Sequence, residues 1–116
     1  MRNPAGDDEL PIIRAFYEFV LWLIPNIAKF PRSHRFSLGQ RMEQQAYAIL
    51  EQLIRAKYTR ARKAILEDVN LGLEVLRFQI RLAKDLRCLS MKSYAAAAAK
   101  ITDIGRQVGG WQRASS

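Results

Sequence analysis

Apolar residues along this chain recur every three to four positions, and no stretch alternates at the period of two that a half-buried strand needs. Ile12, Phe16, Phe19, Leu23 and Ile27 form one such line and predict a helix over about residues 12–28. Pro11 suits its start, because the missing N–H would have no partner there in any case. Val20, Leu21, Trp22 and Ile24 widen the stripe almost to a full circle, a pattern that asks for burial on more than one side. Pro25 should kink this helix or end it early.

Residues 30–36 read as a connector in which Pro31 pushes Phe30 out of helical geometry. Ser37 followed by Gln40 has the spacing of a capping box. It opens a second helix over about 38–58, with Leu38, Met42, Ile49, Leu50, Leu53 and Ile54 inward and Arg41, Gln44, Glu51 and Arg55 outward. Thr59 then caps a long third helix over about 60–89. On a helical wheel Ile65, Val69, Gly72, Leu76, Ile80 and Ala83 make one apolar line, and Leu71, Val75, Phe78 and Leu82 make a second, more than a quarter turn away. One bundle core needs one such face; the second either lines a subunit interface or widens the core. Ser90 caps a fourth helix over about 91–112, with Tyr94, Ala98, Ile101, Ile104 or Gly105, Val108 and Trp111 as its stripe and the alanine run 95–99 permitting close approach. The expected fold is therefore all-α, an up-down-up-down antiparallel four-helix bundle over residues 12–112. A flexible acidic arm over 1–11 precedes it and a short tail over 113–116 follows.

The 116 residues suffice for one domain with a modest core, and 49% hydrophobic with 26% charged residues is an ordinary globular balance. Chemistry is sparse. The single cysteine, Cys88, allows no intrachain disulfide and fits a reducing, cytoplasmic setting. His34, the one histidine, reads as a surface loop residue or a phosphate contact, and Cys88 as an inert thiol. One cysteine and one distant histidine make no standard zinc site. Glu67, Asp68 and Glu74 lack the Glu-x-x-His partner of a di-iron bundle and read as a solvated face. No catalytic residue, metal or cofactor is expected, and no phosphate-cradling glycine motif is present. The apolar run Phe19–Ile24 is too short for a bilayer and the polar N-terminus is unlike a signal peptide, so no membrane partner is expected either.

Charge changes this picture. The formal net charge is +8, and it is polarised along the chain. Residues 35–63 hold seven Lys and Arg against two acids, and residues 77–92 hold five against one, whereas residues 1–11 carry a net −2. Arg77, Arg81 and Lys84, spaced i, i+4, i+7, share a face of the third helix beside its main apolar line. Arginine's planar fork suits phosphate. A solubilising face partly paired with Glu74 and Asp85 is the plainer alternative. The pattern indicates a polyanion without naming one. Aromatic residues do not interleave with the basic ones as a stacking platform does, Tyr47 and Tyr58 being partial exceptions.

Three stretches carry a family resemblance. They are Ile24-Pro25-Asn26-Ile27-Ala28 leading into Phe30-Pro31-Arg32-Ser33-His34, then Leu73 to Leu82 (LEVLRFQIRL), then Ile104 to Trp111 (IGRQVGGW). In this order and spacing, over about residues 20–112, the chain resembles the accessory (Avd) proteins of diversity-generating retroelements. It also resembles, through part of the Phe-Pro pattern, the four-helix proteins encoded in ribosomal-RNA intervening sequences; the second and third stretches favour Avd. The Avd resemblance implies a non-catalytic homopentamer with a basic surface that binds the element's reverse transcriptase and nucleic acid, RNA or DNA, during mutagenic copying of a template RNA. Arg77 and Arg81 match the family's basic pair. Lys84, Arg41, Arg55, Arg60 and Lys63 join them as candidates on charge and expected exposure. Leu71, Val75, Phe78 and Leu82, with Trp22 from the overfull first helix, are the candidate oligomer interface. A ribosomal-RNA-associated protein and a purely structural protein scaffold are the alternatives.

Overall fold

Residues 10–115 are described by the structure, a computed structural model. The acidic arm expected at the N-terminus lies outside them, except for its last two residues. Four long helices are found among the described residues, and no strand: α1 (Pro11–Ala28), α2 (Gln40–Tyr58), α3 (Lys63–Asp85) and α4 (Met91–Ala114). Each packs against two neighbours, in the cyclic order α1–α2–α3–α4–α1. With connectors this short, sequential helices must run antiparallel. The up-down-up-down reading of the sequence is thus the observed architecture. One end of the bundle gathers the α1–α2 and α3–α4 connectors; the opposite end gathers the α2–α3 connector and both chain ends.

The core is apolar throughout, with no buried polar or charged residue among those described. Phe16, Phe19 and Leu23 of α1 meet Met42, Ile49 and Leu53 of α2, Leu66, Val69, Leu76 and Ile80 of α3, and Ile101 and Val108 of α4. Each of the large side chains removed from water contributes about 2–3 kcal/mol. By length and composition α1 reaches the lower bound for a membrane-crossing helix, which the run Phe19–Ile24 does not, but seven of its side chains fill this core. Ile54, expected inward, is instead exposed, and Leu38 and Leu50 are only half-buried.

α1 passes through Pro25 and stops at Ala28. Pro25 lies on the exposed side, as does Leu21, whose carbonyl loses the proline's N–H and can bond water instead. The α1–α2 connector departs most from expectation. His34 and Arg35 N–H both bond Pro31 O, closing a helical turn over Arg32–His34, and a π-helical turn over Arg35–Gly39 then runs directly into α2. Ser37 is therefore no cap: its hydroxyl donates back to His34 O at 3.4 Å. The π turn presses Gly39 into the core, where a Cβ would stand 2.9 Å from Ile27 Cγ2. Only glycine lets the connector sit this close to α1.

Thr59 is not the cap of α3; it is extended and ends α2, and α3 begins four residues later. α3 ends at Asp85, four residues short of expectation, in a Schellman motif: Cys88 N–H bonds Ala83 O at 2.7 Å and Arg87 N–H bonds Lys84 O at 2.9 Å. The Ser90 cap is as read, its Oγ accepting from Ser93 N–H at 3.0 Å. α4 then continues to Ala114, through the first two residues of the expected tail.

Candidate nucleic-acid interface

α3 presents three surfaces. Its core line (Leu66, Val69, Leu73, Leu76, Ile80, Ala83) is buried. Gly72 is half-buried where α2 approaches, and its carbonyl accepts from Gln45 Nε2 at 3.0 Å. The second apolar line does not widen the core. Leu71, Val75, Phe78 and Leu82 are 67%, 43%, 59% and 48% exposed and, with Glu74 and Gln79, line an open groove of about 480 Å³. Trp22 is not part of it. It is half-buried on α1, stacked on Phe19 at 6.0 Å with Lys100 Nζ over its ring, so it seals the α1–α4 seam.

The third surface holds the predicted basic row, and its members differ. The Arg77 guanidinium does not stand clear of the helices. Its side chain is 38% exposed, Nη1 donates to Thr102 Oγ1 of α4 at 3.1 Å, and Nε lies 3.7 Å from Glu74. Lys84 is folded over the Tyr94 ring at 4.6 Å and paired with Asp85 at 3.3 Å. Arg81 is exposed and has no acidic partner among the described residues. Arg77, Arg81, Glu74, Phe78 and Tyr94 line a cleft of about 160 Å³ between α3 and α4. Tyr94 in this cleft and the Thr102 that holds Arg77 come from α4, which the wheel of α3 alone could not supply.

The other predicted cations do not converge on this cleft. Arg41 opens α2 at the connector-rich end, exposed and without an ion pair among the described residues. Arg55 is paired with Glu51 at 3.0 Å. Arg60 and Lys63 stand exposed at the opposite end, beside Arg62, which donates to Thr59 O and covers the Trp111 ring. Along α3 alone, Lys63 and Lys84 are roughly 30 Å apart at 1.5 Å per residue. The basic residues thus form two poles and a side patch.

Around the α1–α2 connector the structure reveals a further cleft, of about 540 Å³. Ile24, Ile27 and Ala28 contribute its apolar wall, α2 its polar one, and Arg35 and Phe36 of the π turn its mouth. Arg35 Nη1 donates to Ala28 O at 3.3 Å, placing a cation at the negative end of the α1 dipole. Its guanidinium lies 4.9 Å from the centre of the Phe36 ring. Tyr47 OH donates to Glu43 Oε1 at 2.6 Å; that bond, desolvation and the carboxylate's charge all raise the phenol's pKa above its usual 10.0, so Tyr47 remains a donor at neutral pH. Of the residues lining this cleft the sequence had singled out Tyr47 alone, as a partial exception to the missing stacking pattern. A further available signal was Phe36, apolar and off the stripe of either flanking helix.

Among the described residues no three His, Cys, Asp or Glu gather as metal ligands. Cys88 sits in the α3 C-terminal motif, where burial raises its thiol pKa and suppresses the reactive thiolate. What the geometry offers is exposed cations, aromatic-lined clefts and an apolar ridge.

The sequence profile of one family, described as bAvd-like, matches residues 11–115, nearly all of the helical bundle. The chain belongs to the bAvd-like family. Its members serve as accessory proteins of diversity-generating retroelements. No curated protein matches the bAvd-like chain. The family assignment agrees with the three stretches noted in the sequence. In the structure they become the last five residues of α1 with its connector, the middle of α3, and the end of α4.

Proposed function

We propose that this bAvd-like protein is a non-catalytic, homopentameric, cytoplasmic partner of a retroelement reverse transcriptase, and that it holds RNA or DNA through its basic surfaces. The observation that carries the reading is the division of labour on α3. Arg81, without an acidic partner among the described residues, and Arg77, oriented by Thr102, lie on one side; the uncovered ridge Leu71–Val75–Phe78–Leu82 lies next to it, with Phe78 at the border of the two. A single helix can then meet a polyanion and a second copy of the chain at once. The absence of base-reading motifs in the sequence favours contact with the phosphate backbone.

Gel-shift titration of the full chain with RNA at low salt, and capture of the reverse transcriptase, test it. Arg81→Ala is expected to weaken RNA binding about tenfold, consistent with loss of one charge-assisted contact. Arg77→Ala should cost less, because that guanidinium already spends bonds on Thr102 and Glu74. Both variants should keep the helical content and the assembly. Unchanged affinity for RNA and polymerase in the double variant would remove these residues from the interface. Failure of the wild type to bind any nucleic acid at low salt would favour a scaffold that meets only protein.

A further inference from the structure

We propose that the cleft between the end of α1, the π turn and the start of α2 receives an unpaired nucleobase of a single-stranded nucleic acid. This deepens the nucleic-acid reading above and rests on it.

Four observations converge. The cleft, at about 540 Å³, falls within the range of small-ligand pockets and has an apolar wall of Ile24, Ile27 and Ala28 against which a flat ring can lie. Phe36, at its mouth, is 68% exposed, an exposure for a phenyl ring that nothing in the bundle requires. A π turn, an irregularity frequent at functional sites, holds it there. The opposite wall offers hydrogen bonds: Gln40 and Gln44, one helical turn apart on α2, have side-chain amides that make no hydrogen bond among the described residues, and Glu43 and Tyr47 are joined beside them.

Charge complementarity selects the occupant. Over residues 28–44 there are four cations, Lys29, Arg32, Arg35 and Arg41, against Glu43 alone. Glu43 faces the cleft and repels phosphate from its interior, whereas a base's N–H groups suit it. The cations belong to the rim. Arg41 is one turn N-terminal to Gln44 on α2 and stands exposed. Arg35 makes one long bond, from Nη1 to Ala28 O, so the other terminal nitrogen of its fork has no hydrogen bond among the described residues, whereas its Nε is buried. The base stacks on Phe36 while the flanking phosphates lie against Arg35 and Arg41. A duplex, whose bases are already stacked and paired, cannot use the cleft.

The experiment compares an unstructured single-stranded RNA and a duplex RNA of equal length, at low salt, against the wild type, Phe36→Ala and Phe36→Tyr. A second arm photocrosslinks a 4-thiouridine-substituted single strand and maps the adduct by tryptic digestion, which releases residues 36–41 as one peptide. We expect Phe36→Ala to lose about tenfold for the single strand and less than twofold for the duplex. Phe36→Tyr, which keeps a stacking face, should bind as the wild type does. The adduct should lie on peptide 36–41 or on the α2 segment that follows. Phe36 is solvent-exposed, so circular dichroism of both variants should match the wild type. If Phe36→Ala binds the single strand as tightly as the wild type and the adduct maps elsewhere, the inference fails while the nucleic-acid reading stands. Equal losses for single strand and duplex also overturn it. So does lost capture of the reverse transcriptase with RNA affinity unchanged, which would make the cleft a protein-docking site. If the wild type binds neither RNA, both readings fall together.

Discussion

Arg87 is the one described non-glycine residue at positive φ, 64°. It occupies the position after the α3 C-cap, where the chain must turn left-handed so that Cys88 N–H reaches Ala83 O. An L-residue with a Cβ is strained there by about 1–2 kcal/mol, and glycine is not. The motif is held by burial of Ala83 beneath it and of Leu89 just after it. Arg87→Gly should raise stability by about 1 kcal/mol, or Tm by about 4 °C, measured by thermal denaturation. Arg87→Ala removes the same charge, keeps the Cβ and should give no gain. Equal gains from both would mean that charge repulsion, not backbone strain, sets the cost at this turn. The strain also explains why the end of α3 was misplaced in the sequence: the residue at the turn is an arginine, and no glycine marks the stop.

At the scale of the element, α3 shows what periodicity reveals and what it hides. The two apolar lines were legible, because their spacing follows from 3.6 residues per turn whatever the partner. That the second line remains uncovered was not legible, since a wheel cannot distinguish a wide core from a free face. Basic positions were legible as positions, but the fates of Arg77 and Lys84 depend on Thr102 and Tyr94 of another helix, α4. The π turn was hidden for another reason. Ser37 and Gln40 have the spacing of a helix start, yet continuous backbone bonding through residues 35–39 leaves no free N–H for Ser37 to cap. The exposed ridge invites a direct test. Phe78→Glu sets a carboxylate in the middle of the groove without touching the core. If this ridge is the contact between copies, burying that charge costs at least about 2 kcal/mol per interface. The mass seen by light scattering should then fall from that of the proposed pentamer toward one chain, with helical content unchanged. An assembly indifferent to Phe78→Glu would place the contact between copies on another face.

Over the whole molecule the cations outside the side patch of Arg77 and Arg81 are divided between two ends. Arg41 belongs with the α1–α2 connector, close to the α3–α4 connector that follows Lys84; Arg60 and Lys63 belong with the α2–α3 connector at the far end. The bundle is 42 Å in its longest dimension, several times the Debye length of about 8 Å at physiological ionic strength, so the poles act on a polyanion as separate sites. Sites this far apart, with no shared partner, contribute additively. Arg60→Ala with Lys63→Ala at one end and Arg81→Ala on the side patch should therefore give losses in log affinity that sum in the triple variant. Each lost phosphate contact should lower the slope of log affinity against log salt by about one. Titrations of a long RNA between 50 and 200 mM salt measure both quantities. If the polyanion engages one pole alone, the distant substitutions leave affinity and slope unchanged. Losses that sum, with a slope that falls in step, would instead mean that a nucleic acid lies along the length of the bundle.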